Sequence, residues 1–175
     1  SSLPTTAATF AIRSASCLCL ALFLLLMTAQ PAFAASESSQ PADIAALRAS
    51  QARSASDLRQ QAIKLRATTK DRTHRAWAAL ALAEFENDLE NADAALLMLD
   101  ETYKEASALK LDDLKFLSLN ARSTILVNRG RSDETDAVQK EMKAMVDSHG
   151  DQYPVWRAKW LDQRGVLERK LGNFD

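Results

Sequence analysis

The stretch Trp160-Leu-Asp-Gln-Arg-Gly-Val-Leu-Glu-Arg-Lys-Leu-Gly-Asn-Phe-Asp175 decides the fold. It reads as the first helix of a helical hairpin, a turn, and the opening of a second helix. The same layout occurs twice upstream. Ala81, Ser123 and Gly165 follow one another at steps of 42 residues, and Trp77, Leu119 and Leu161 keep that step four residues earlier. Asp88, Gly130 and Gly172 keep it at the turn, and Ala95 and Ala137 keep it in the second helix. Self-similarity at a fixed period marks a solenoid. A large apolar residue four before a small one shares its helix face. The small residue admits a neighbouring helix, so Ser123 and Gly165 are expected to be packing residues. A glycine ends the helix readily because it tolerates positive φ. The expectation is an all-α fold of stacked two-helix hairpins with period 42, the third hairpin incomplete at Asp175.

At these residues the chain resembles the tetratricopeptide repeats. That family places a bulky residue and then a small one in its first helix, a turn of the Leu-Gly-Asn-Phe-Asp kind, and an alanine early in its second helix. Leu171-Gly-Asn-Phe-Asp175 matches that turn, and Pro154 stands where the family often places proline before a new repeat. The resemblance covers roughly residues 73–175. It departs from the family in period, since the family's own is about 34 residues and HEAT and armadillo repeats run ~40–47. It departs again at Glu84 and Glu168, where an aromatic is common. If the hairpins stack as in tetratricopeptide arrays, positions flanking each bulky marker line an inner surface. These are Arg75 and Ala78, then Leu117 and Asn120 with Asn128 further on, then Lys159 and Asp162. A groove of such mixed charge suits a protein, a peptide or a small polar ligand, and not a polyanion.

Upstream of the repeats, Arg13 is the only charge before Glu37, and the run Cys17-Leu-Cys-Leu-Ala-Leu-Phe-Leu-Leu-Leu-Met27 follows it. Ala32-Phe-Ala34 then supplies a small-x-small pattern behind Pro31. This is the layout of a secretory signal peptide, residues 1–34, with cleavage expected between Ala34 and Ala35. The alternative is an uncleaved anchor, for which residues 14–35 can be stretched to the ~20 that a span needs. Cys17 and Cys19 both lie in this segment, so the exported chain is expected to contain no cysteine and to build no disulfide. Residues 35–41 read as a disordered polar linker, and residues 42–72 as an N-terminal helical segment.

The whole chain carries 22 Lys and Arg against 23 Asp and Glu; without Arg13 the balance is 21 against 23, a net charge of −2. Such near-balance makes no electrostatic case for nucleic acid or an anionic membrane surface. Few glycines and prolines favour helix. One helical segment is expected over 43–67, with a weakly apolar middle at 49–56 where a break can fall. Helices follow at about 73–88, 91–110, 112–129 (capped by Asp112), 132–147 (capped by Ser132 and facing inward with Ala137, Val138, Met142 and Met145) and from Pro154 onward. The run at 76–83 is apolar on all sides, which predicts burial all round.

No catalytic pattern stands out. The chain has two histidines, His74 and His149, both placed near helix ends and read as solvated polar residues. There is no His-Glu-x-x-His, no cysteine cluster and no phosphate-binding glycine loop. The acidic run at 84–90 reads as a solvated helix end, and Trp77, Trp156 and Trp160 read as packing. No catalytic, cofactor or metal residue is assigned. The combination of signal peptide, polar lead-in and long-period hairpins resembles the periplasmic sensory regions of bacterial diguanylate cyclases and sensor histidine kinases. The resemblance implies a non-catalytic binding module, with a membrane helix and an output domain expected beyond Asp175. The alternatives left open are a stand-alone periplasmic scaffold or assembly factor, and an all-helical enzyme.

Overall fold

The computed structural model describes residues 40–50, 54–149 and 152–173 of the 175-residue chain. The expected signal peptide with Cys17 and Cys19, and residues 35–39 of the expected polar linker, lie outside the described residues. The described residues form helices and no strand: α1 Ala42–Ala49, α2 Ala55–Thr68, α3 Arg72–Asp88, α4 Ala92–Leu109, α5 Asp112–Asn128, α6 Ser132–His149 and α7 Pro154–Leu171. The protein is all-α. None of these helices is long and apolar enough to cross a membrane.

The segment expected over 43–67 is divided into two helices at its weakly apolar middle. α1 buries Ile44 and Leu47, and α2 buries Leu58 and Ala62, each pair spaced for one helix face. Ser54 caps α2 by accepting the Asp57 N–H at 3.2 Å. α3 is the central helix, packed against α1, α2, α4 and α5. Its start is fixed by Asp71, whose carboxylate accepts the Thr73 N–H at 2.9 Å. Every residue from 76 to 83 is buried, as the unbroken apolar run predicts. α4 presents one stripe to that core: Ala92, Ala95, Leu99, Thr102 and Ala106. Asp112 and Ser132 lie inside the first turns of α5 and α6 and are not caps. Asp112 there favours the positive end of the helix dipole instead.

α3, α4, α5 and α7 all end in the same left-handed turn, at Glu90, Lys110, Gly130 and Gly172. Glu90, Gly130 and Gly172 all have left-handed φ, at 65°, 69° and 77°. Glu90 N–H donates to Asn87 O and Asn91 N–H to Glu86 O; Gly130 and Arg131 repeat this with Val127 and Leu126, and Gly172 and Asn173 with Arg169 and Glu168. Each is a Schellman motif, which satisfies the last carbonyls of the helix. A uniform step of 42 is not reproduced at the ends of α3, α5 and α7. From Glu90 to Gly130 is 40 residues, and from Gly130 to Gly172 is 42. Asp88, read as the first turn residue, is the last residue of α3. The second helices agree with the 40-residue step. Ala95, Leu99, Thr102 and Ala106 of α4 stand against Thr135, Gln139, Met142 and Val146 of α6, all buried. Ala137 is exposed and is not the counterpart of Ala95, because a shift of two residues turns a side chain about 200° around a helix.

The apolar interior falls into two clusters. One joins α1, α2, α3, α4 and part of α5 around Trp77, Leu80 and Leu114. The other joins α5, α6 and α7 around Phe116, Leu126, Met142 and Trp156. In the second, Trp156 stacks on Phe116 at 4.7 Å between ring centroids and on Tyr153 at 4.0 Å. Beside this stack runs a polar seam. Gln139 donates to Ser123 Oγ at 3.3 Å and to the Gln163 carbonyl at 2.9 Å, and Gln163 donates to Thr124 Oγ1 at 3.0 Å.

Ser123 is fully buried in that seam, as expected of a packing residue. Gly165 is not: it is exposed, and a Cβ there meets nothing within 4 Å. Leu161, one turn earlier, is 54% exposed. Their open face is the reason that the expected close approach does not occur. Ser123→Leu is therefore expected to cost ~1–3 kcal/mol by overpacking, whereas Gly165→Ala should raise stability by roughly 0.5–1 kcal/mol through helix propensity. Urea denaturation of the two variants checks both signs.

Glu86 is a second departure, since the acidic run at 84–90 is not all solvated. The residue is 2% exposed, and its carboxylate receives Arg59 Nε at 2.5 Å and Asn91 Nδ2 at 2.8 Å. Burial pushes its pKa up, but the bonds from Asn91 and Arg59 outweigh burial and hold it below the usual glutamate range. A folded-state pKa below the unfolded one stabilises the fold above the unfolded value, about 4.3, and that contribution is lost as pH falls through the folded value. The melting temperature of wild type should thus fall more steeply than that of Glu86→Gln as pH drops below about 4.3. Parallel curves would show that the Glu86 carboxylate makes no such contribution.

Candidate ligand cavity

α2 ends with Arg66 in its last turn, α3 begins Arg72-Thr-His-Arg75, and α4 carries Glu101 and Glu105 one turn apart. Packing α3 between α2 and α4 brings these five charges around one cavity of about 350 Å³, with Ala76, Ala79 and Thr102 as the remaining lining. Arg72 Nε donates to Glu105 Oε1 at 3.0 Å, and Arg66 Nη2 lies 3.6 Å from Glu101 Oε2. The hydrogen bond to Glu105 holds the Arg72 guanidinium above its usual pKa. Arg75 is held differently. Its Nη1 donates to the backbone carbonyls of Thr69 at 3.3 Å and Lys70 at 2.8 Å, just past the end of α2. Among the described residues no carboxylate lies within ion-pair distance of Arg75.

A second cavity of about 480 Å³ lies between α1 and α2, walled by Ala46, Leu47 and Leu65 with Asp43, Gln61 and Lys64. Nearby, Glu84 accepts both Nε and Nη2 of Arg48 at 2.8 Å, tying α1 to α3. Glu84 is one of the two positions at which the chain departs from the repeats it resembles.

The residues expected to line one inner face lie in different surroundings. Arg75 lines the charged cavity. Asn120 is half-buried on α5, and its carbonyl accepts the Thr124 hydroxyl at 3.1 Å. Asn128 is exposed at the end of α5, Lys159 is half-buried on α7, and Asp162 is exposed there. Ala78 and Leu117 are buried in the core and have no open surface to offer. His74 pairs with Asp43 at 3.0 Å, and His149 Nδ1 lies 2.8 Å from the Ser148 hydroxyl. Among the described residues no three His, Cys, Asp or Glu side chains come together as a metal ion would need.

Sequence reading missed Arg66, Arg72, Glu101 and Glu105. Their one local signal is the i,i+4 spacing of the two glutamates, which places both on one face of α4. Compared with protein-family models, with curated proteins and with solved structures, the chain matches none.

Proposed function

We propose that the chain is a non-catalytic binding module, a tetratricopeptide-like stack of helical hairpins exported to the periplasm. Its ligand is a small polar molecule, a peptide or a protein segment. In this reading it is the sensory part of a membrane-bound signalling protein of the diguanylate cyclase or histidine kinase kind. The observation that carries the reading is the cavity walled by Arg66, Arg72 and Arg75, with Glu101 and Glu105 facing them across three helices. The recurring turn at Glu90, Gly130 and Gly172 supports the hairpin stack. The secretory pattern ahead of Ala35 supports export. A stand-alone periplasmic scaffold is the second reading. It is favoured by exposed Leu161 and Leu171 on α7, which offer a further helical unit a surface.

The test is a thermal-melt screen of the purified protein against small polar metabolites and short peptides. A ligand at a hundred times its Kd stabilises by about 2.7 kcal/mol, a shift of several degrees for a domain of this size. Alkaline phosphatase fused after Asp175 reads export in the same strain and is expected to be active. A melt that no compound moves overturns the binding module, and an inactive fusion overturns the periplasmic assignment.

A further inference from the structure

We infer that the cavity between α2, α3 and α4 takes a free α-amino acid as its zwitterion, the carboxylate on Arg75 and the ammonium on Glu101; the inference rests on the ligand-binding reading above. The lining carries three guanidiniums and two carboxylates. Arg66 and Arg72 each face a carboxylate, while Arg75 faces none within ion-pair distance among the described residues. A guanidinium has five N–H donors in a fixed fork. Arg75 spends one nitrogen on Thr69 O and Lys70 O, which fixes the plane of the fork and leaves the rest for a carboxylate.

The carboxylate end alone does not define the ligand. A phosphate dianion placed at Arg75 would also meet Glu101 and Glu105, whereas a zwitterion presents a charge of each sign to a lining of both signs. Glu101 is the carboxylate that can turn to an ammonium. Its contact with Arg66 is long, at 3.6 Å, and its side chain is 57% exposed, so exchanging that partner costs little. The rest of the lining limits the side chain. Ala76 and Ala79 offer methyl groups, and the Thr102 hydroxyl is already given to Met98 O at 2.7 Å. About 350 Å³ is at the small end for ligand cavities, which fits a short aliphatic side chain.

Isothermal titration of the purified protein tests this with L-alanine and L-valine, against acetate, methylammonium and inorganic phosphate. The amino acids should saturate at one site, with each single-charge probe weaker by roughly tenfold or more, as loss of one charge-assisted contact requires. Glu101→Gln and Arg75→Gln should each weaken valine by roughly tenfold or more. Arg75→Lys should fall between wild type and Arg75→Gln, and Arg157→Gln, at an exposed position on α7, should bind as wild type. Arg75 also caps the end of α2, so Arg75→Gln is read together with the solvent-exposed Glu101→Gln, whose fold is not at risk. Absence of saturable valine binding overturns the inference, as do acetate or phosphate binding as tightly as valine, or Glu101→Gln binding unchanged. If amino acids fail while a peptide raises the melting temperature, the inference falls and the binding module stands; if nothing binds, both fall.

Discussion

Trp77→Ala is expected to remove about 3–5 kcal/mol of stability, a large part of the 5–15 kcal/mol that a domain of ordinary stability possesses. Trp77 has no exposed surface and sits in the middle of α3, the helix that α1, α2, α4 and α5 all touch. Truncation leaves a cavity that four helices would have to close together. The indole N–H has no acceptor among the described residues. Trp77→Phe keeps most of the ring and deletes that unpaired donor, so it should cost much less than Trp77→Ala. Urea denaturation with a fitted slope measures both. A loss under about 1 kcal/mol for alanine would mean that α3 is not the hub of the core.

Phe116→Ala should cost about the same, ~3–5 kcal/mol, but from the second apolar cluster. Phe116 is fully buried in α5 and stacks on Trp156, which in turn stacks on Tyr153. Trp156 and Leu167 are the two buried residues of α7, so this stack is a principal apolar attachment of that helix. Losing Phe116 should abolish the near-ultraviolet dichroism of Trp156 before far-ultraviolet helicity declines. Coincident loss of both signals would contradict a separate attachment of α7.

Burial was legible wherever periodicity was clean. The inward Val138, Met142 and Met145 of α6, the burial of residues 76–83, and the role of Pro154 at the start of α7 all follow from apolar spacing and turn chemistry. Register was not, and the cause is specific. α3 is apolar on every side, so a repeat offset of 40 or 42 sets a buried residue of α3 against a buried residue of α5 in several places. Trp77 aligns with Leu119 at one offset and with Leu117 at the other, and both are buried. The turn would have decided it, but Glu90 occupies the left-handed position where glycine is the usual signal. The cavity was illegible for a different reason. Arg66 meets Glu101 and Arg72 meets Glu105 across more than thirty residues, and no local pattern marks partners so far apart.

The left-handed turns also say where this chain tolerates a change of length. α3 with α4, and α5 with α6, are hairpins of matching size: helices of 17 and 18 residues in each, joined by turns with the same hydrogen bonds. The two extra residues between Gly130 and Gly172 fall outside these hairpins. Two residues, Lys110 and Leu111, separate α4 from α5, whereas four, 150–153, separate α6 from α7. Insertions are thus accommodated at the junction between hairpins and not within one, because a hairpin that gains a residue loses its facing stripe while a junction that gains one only re-aims the next hairpin. The stretch between one hairpin and the next is where homologous chains should differ in length and where engineered spacers should be accepted without loss of folding.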